Sequence, residues 1–229
     1  MMKRSISFLA VALMAGSALA QDHKPAPAKA GQPPATPAKP AKPDAAQPPM
    51  DPMMEAWMKA GQPGPEHARF KMMEGTWDCA VKMYDPSNPS AEPQESKAVM
   101  VNRLVLDGRF IHHDYKGDMM GMPFVGAGTF GFNNVSKKYE VTWTDSMSTC
   151  IMFTTGTYDE ATKTYTMTGE IDNPMGGKSK MRELIKIVDN NKHIMEMFST
   201  DPGKEECRCM VITYTRSTKP MSSVPADKH

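Results

Sequence analysis

Cys207 and Cys209, one residue apart in "ECRCM", would present two thiols on one side of an extended segment. That pairing suits a soft metal such as copper or zinc. The chain also carries 23 methionines, whose thioethers share that preference, although methionine equally serves to fill gaps in a core. The same thiols could instead stay free and buried. One of them could also bridge to Cys79 or Cys150, since four cysteines allow several pairings. A second group is the adjacent pair His112-His113. Successive side chains of a strand point to opposite faces, so these two cannot both ligate one internal metal or haem. A third is "YEVTWTDSMSTC", where Tyr139, Val141, Trp143 and Asp145 share a face. Were that face internal, Asp145 would need a partner, for which Arg109 and Lys138 are candidates. Otherwise it caps the turn that follows. No nucleophile elbow, HExxH helix, phosphate-binding loop or dinucleotide fingerprint occurs. No catalytic residue is assigned, and the cofactor is left unknown.

The densest stretch is "GDMMGMPFVGAGTFGFNN", Gly117 to Asn134. Phe124, Phe130 and Phe132 alternate with Gly126 and Gly128 on one face. The glycines either let a sheet curve or allow close approach. With Met119, Met120 and Met122 beside them, Phe124 and Phe130 would form the apolar wall of a mouth suited to varied ligands. Met122, Phe124, Phe130, Trp143, Asp145 and His113 are thus the candidate ligand-binding residues.

These side chains must be positioned by strands. After Gly75 the apolar period changes from that of a helix to two and stays there. The expected strands are Thr76–Tyr84, Lys97–Leu106, Arg109–Tyr115, Phe124–Phe132, Tyr139–Asp145, Ile151–Tyr158, Thr164–Ile171, Lys180–Val188, His193–Ser199 and Cys207–Arg216. Joins such as "NNVSKK", "DEATK" and "DNNK" are short and rich in turn formers, which forces antiparallel neighbours. Asp107-Gly108 is a type I′ signature. It sets Leu104 opposite Ile111, Asn102 opposite His113 and Met100 opposite Tyr115, with His113 the inward histidine. An antiparallel run of about ten strands removes its exposed edges by closing, so an all-β up-and-down barrel is expected rather than a two-layer sandwich. Two short helices precede it. "DPMMEAWMKAG" has Asp51 as cap and Gly61 as stop, and "GPEHARFKMMEG" directs Phe70 and Met73 one way.

The ends read differently. Residues 1–20 have Lys3 and Arg4, a short apolar run and Ala18-Leu19-Ala20, the pattern of a cleaved leader. The protein is therefore expected in the periplasm or secreted, beginning at Gln21. Residues 21–49 form a Pro/Ala/Lys-rich spacer with nothing large to bury. The barrel domain is expected over 50–219 and a flexible tail over 220–229. A net charge of +1 leaves no basic footprint for nucleic acid, and no membrane span is expected once the leader is gone.

Gly75-Thr76-Trp77, after a short helix, resembles the first strand of lipocalin-like (calycin) barrels. That resemblance implies Trp77 across the barrel floor and a basic residue of the last strand, Arg216 in "ITYTR", packed on it. Over a longer span, "PGPEHARF", "GTWD", "DGRF", "GDMMGMPFVGAGTFGFNN", "WTDSMST", "GTYDEATKTYTMTGE" and "ITYTR" resemble, in order, the bacterial domain of unknown function 1579 family. His112-His113 departs from that family's usual run. The resemblance implies a barrel and no particular activity. The functional expectation is a small apolar or amphipathic ligand held in the barrel. The alternatives are soft-metal binding through Cys207 and Cys209, a ligand-free structural or stress module, and an enzyme with dispersed residues.

Overall fold

The computed structural model describes residues 51–88 and 90–219. The leader, the spacer and the tail expected at residues 1–20, 21–49 and 220–229 lie outside the described residues.

Asp51 caps the first helix, α1 (Pro52–Ala60). Its carboxylate accepts from the N–H groups of Met53 and Met54, Pro52 sits where no N–H is needed, and Gly61 ends the helix. The second helical piece divides into one α-helical turn, α2 (Pro65–Ala68), and a 3₁₀ turn over Arg69–Met72. Phe70 and Met73 are buried there, 0% and 4% exposed, whereas α1 buries no residue. Among the described residues no helix is long and apolar enough to cross a membrane.

Ten strands follow: β1 (Gly75–Met83), β2 (Gln94–Val105), β3 (Phe110–Met119), β4 (Met122–Asn133) and β5 (Lys138–Asp145). The remainder are β6 (Met152–Asp159), β7 (Thr164–Asp172), β8 (Lys178–Asp189), β9 (Lys192–Thr200) and β10 (Cys207–Arg216). Each pairs antiparallel with its sequence neighbours, and β10 returns to β1, so the sheet is a closed barrel. The sandwich alternative is excluded. The register at Asp107-Gly108 is as expected, with Leu104 opposite Ile111, Asn102 opposite His113 and Met100 opposite Tyr115. Asp107 and Gly108 both have positive φ, 57° and 78°, as a type I′ turn requires. A second such turn, Met120-Gly121 at 55° and 80°, extends β3 and β4 past their expected ends and sets Met119 opposite Met122.

This topology gives the barrel two unlike ends. The joins after β1, β3, β5, β7 and β9 gather at one end. The helical segment enters β1 at the other, which it plugs with Phe70 and Met73. Trp77 is fully buried beside that plug, and its indole N–H donates to the Met73 carbonyl at 2.8 Å. Arg216, opposite Trp77 on β10, lays its guanidinium 4.3 Å from the centre of the indole. It also donates to the carbonyls of Met72, Glu74 and Asn190 at 3.0, 2.7 and 2.8 Å. Gly75 holds φ at +122°, and a Cβ there would stand 2.6 Å from Arg216 Nη1. Only glycine fits both the backbone and the guanidinium.

Arg216→Lys keeps the charge but loses the planar fork that reaches three carbonyls. It should lower stability by about 1–3 kcal/mol, and Gly75→Ala by a similar amount through backbone strain. Urea unfolding followed by circular dichroism measures both, and an unchanged midpoint for the two variants would contradict the clamp.

Candidate functional site

Inward-facing side chains of a ten-stranded barrel cannot fill its axis completely, and a cavity of about 440 Å³ remains. It runs from a polar floor near the helical plug to a mouth between the β5–β6 and neighbouring joins, where the exposed Met147 and Ser148 border it. Nine methionines line it, together with Phe124, Phe130, Trp143 and Ile212. No lysine or arginine is among the lining residues.

The floor is built as a chain of hydrogen bonds. The Met73 carbonyl that accepts from Trp77 also accepts from Asn102 Nδ2 at 2.8 Å. This fixes the amide, so Asn102 Oδ1 faces His113 Nδ1 at 2.7 Å and accepts from it. His113 thus carries a proton on Nδ1, and in the neutral ring Nε2 is left as an acceptor. Burial, then the neighbouring His112, brings its pKa down to about 4. His193 stacks on Tyr214 with ring centres 4.3 Å apart and meets the Trp77 ring edge-on at the same distance. Burial, then His113, brings the His193 pKa down to about 3. Both histidines are neutral at physiological pH.

The wall explains the glycines of β4. Gly128 pairs with Trp143, and a Cβ on Gly126 would lie 2.3 Å from the indole Cζ2. A Cβ on Gly128 would lie 2.4 Å from the Thr142 carbonyl and 3.1 Å from the indole. The two glycines therefore make the shelf on which Trp143 lies. Trp143 Nε1 donates to Asp145 Oδ2 at 3.2 Å, and Asp145 Oδ1 accepts from the Met147 N–H at 2.9 Å. The carboxylate caps the turn and fixes the ring at the mouth.

Neither Arg109 nor Lys138 pairs with Asp145, and of the two alternatives the turn cap holds. Lys138 begins the strand that Asp145 ends, about 23 Å away at the usual rise per residue. Arg109 donates instead to the carbonyls of Gly61 and Leu106 at the plugged end.

Of the expected ligand-binding residues, Phe124, Phe130, Trp143, Asp145 and His113 line the cavity and Met122 does not. Met122 has inward parity but pairs with Met119 on the last rung of its hairpin, where it is 48% exposed. Met119 lines the cavity, while Met120 is 64% exposed in the turn. Cys207 stands opposite Ser199, on the inward phase of Met197 and Met181, and Cys209 lines the cavity, so the two thiols share the inner face as expected. Arg208 pairs with Phe198 and Met210 with Met197, so Cys209 is the extra residue of a β-bulge. Cys209 turns to the cavity with its thiol pKa pushed up to about 11 by burial, and Cys207 is absent from the lining. All four cysteines are free. Cys79 pairs with Tyr214, five residues along β10 from Cys209 and about 17 Å distant, so no bridge forms across the seam. Among the described residues no three His, Cys, Asp or Glu side chains group to hold a metal ion.

One residue escaped the reading by motif. Glu183 of β8 shares inward parity with Met181, Ile185 and Ile187, is 6% exposed, and lines the cavity. Its Oε1 has no hydrogen-bond partner. Burial alone pushes its pKa up to about 7. The signal was present in "MRELIKIV" as a carboxylate on the apolar phase of a strand.

Among solved structures, the S-type phycobiliprotein lyase CPES from Guillardia theta resembles the chain at 12% identity and a TM-score of 0.48. The match covers 71% of this chain and 97% of that one. No curated protein sequence matches. The model of a family described as protein of unknown function (DUF1579) matches residues 62–216, with the clamp, the floor and the cavity all inside that span. The chain belongs to the DUF1579 family.

Proposed function

We propose that the protein is exported and holds one small apolar or amphipathic molecule inside its barrel. The observation that carries this reading is the methionine- and aromatic-lined cavity of about 440 Å³ reaching a mouth at the β5–β6 end. Its volume falls within the range of about 300–1,000 Å³ usual for small-molecule sites. Unbranched thioethers adapt to ligands of differing shape, and a few fixed polar groups at the floor orient what enters. A barrel serving only as scaffold gains contacts by filling this space, because interiors otherwise pack closely. Export is supported by the charged start, short apolar run and Ala18-Leu19-Ala20 of residues 1–20.

The neutral fluorophore 1-anilinonaphthalene should brighten on binding the cavity. Gly126→Val should weaken it about tenfold, equivalent to about 1.4 kcal/mol, by driving the Trp143 ring from its shelf. No brightening by this or any other neutral aromatic probe would end the cargo reading.

Glu183 and the buried histidines give stability a defined pH dependence. The folded carboxyl keeps its proton up to about pH 7 against an ordinary value of 4.5, so unfolding releases a proton between those limits. Its contribution to stability therefore falls as pH rises through that window. His113 and His193, depressed from 6.5 to about 4 and about 3, act in the opposite sense. Their contribution rises with pH and is complete above 6.5. Glu183→Gln isolates the first effect: its stability relative to wild type should grow by on the order of 3 kcal/mol between pH 4.5 and 7. A difference in unfolding free energy that stays flat with pH would show the carboxyl to be hydrated.

For export, N-terminal sequencing of the chain from the envelope or medium fraction should begin at Gln21. A chain retaining Met1 inside the cell would remove that half of the reading alone.

A further inference from the structure

The polar groups around the cavity are biased toward accepting. Two carboxyl groups line it, Asp145 and Glu183, and no lysine or arginine opposes them. Asp145 is already engaged at the mouth by the Trp143 indole and the Met147 N–H. Glu183 is not. It stands midway along β8 between Met167 and Met197 on the neighbouring strands, and its Oε1 is buried without a partner. His113, having spent its Nδ1 proton on Asn102, adds a second acceptor in Nε2. Of the other titratable lining groups, His193 is held neutral, and the Cys209 thiol and the Tyr115 and Tyr214 phenols are pushed further toward their neutral forms. The tyrosine and serine hydroxyls can donate or accept, so they favour neither kind of ligand.

A buried carboxyl with no counter-charge in its own chain is a site short of a donor. We infer that the cargo is an amphipathic amine, whose ammonium donates to the free Oε1 of Glu183 while its apolar body lies along the methionines, Phe124 and Trp143. A fatty-acid-like anion would find two carboxyl groups and no cation to receive it. A neutral alcohol could donate to either acceptor but would bring no charge to the carboxylate. The inference rests on the cargo reading and narrows it to a ligand class. The pairing is also self-consistent in charge. An ammonium beside Glu183 favours the ionised carboxylate, and the ion pair forms in a cavity walled by thioethers and rings, where charge-assisted hydrogen bonds are strong.

Three ligands of one chain length separate the possibilities. Octylamine, octanol and octanoate are titrated at pH 8 into the full chain holding 1-anilinonaphthalene, with calorimetry as a second readout. Octylamine should bind roughly tenfold or more tighter than octanol, and octanoate more weakly than either. Glu183→Gln should bring the ratio of amine to alcohol affinity close to one. Octanoate binding as well as octylamine, or an amine preference that survives Glu183→Gln, would overturn this inference and leave the cargo reading standing. Equal binding of all three to the wild type would do the same, without any variant having to fold. Failure of every ligand and of the fluorophore would overturn both.

Discussion

A meandering sheet has two raw edges, and this protein depends on the contact that joins them. Arg216 ends the last strand and pairs with Trp77 near the start of the first, so the guanidinium over the indole marks where the sheet closes. The same guanidinium accounts for three carbonyls from two other segments, the helical plug and the β8–β9 turn. One side chain therefore ties the seam, the floor and a rim together. Lysine is a poor substitute because its single point of charge cannot serve a ring face and three divergent acceptors. Gly75 is the other half of the arrangement: its missing Cβ is the space the guanidinium occupies.

From that clamp the polarity of the interior follows. Trp77 and Asn102 converge on the Met73 carbonyl, so the plug is held by the floor it covers. The amide, once pinned, decides the tautomer of His113, and burial keeps that ring uncharged. The floor thus spends its donors internally and presents a lone pair to the cavity. At the mouth the same economy recurs, since Trp143 and Met147 satisfy both oxygens of Asp145 before any ligand arrives. The contrast with Glu183 is then a matter of counting partners. Of the two carboxyl groups in the lining, the one midway along the barrel is left with an unpartnered oxygen.

The parts of this layout that were legible in the sequence are those governed by local rules. A two-residue turn at Asp107-Gly108 dictates which residues face each other across a hairpin, and the Asn102–His113 pair came with it. The alternation of Phe124 to Phe130 with glycine gave a face correctly. Parity does not give depth, however, and Met122 is on the right face one rung too far out. Parity also shifts at a bulge: the extra residue at Cys209 puts Cys209 and Met210 on the inner face together, and composition does not mark that step. For Asp145 the turn-cap alternative holds, and the two candidate partners, Arg109 and Lys138, stand at the other end of the barrel. Glu183 is marked in the sequence only by its place on the apolar phase of β8, because a glutamate among charged neighbours belongs to no motif and resembles surface.

Its placement is the sharper for the alternatives open to a β-strand. The position faces methionines on both sides, where an apolar residue would be neutral or stabilising and a carboxyl costs desolvation energy unless something pairs with it. The outer wall shows that the fold pairs carboxylates readily. Arg103 meets Asp114, Arg182 meets Glu206 and Arg208 meets Glu196, each where solvent already screens the charges and the pairing contributes little. Inside, where a partner would count for most, the described residues supply none to Glu183 Oε1. A stable scaffold would reverse that distribution. A receptor would not, because an unspent acceptor in an apolar cavity is what lets binding free energy go to the ligand's head group.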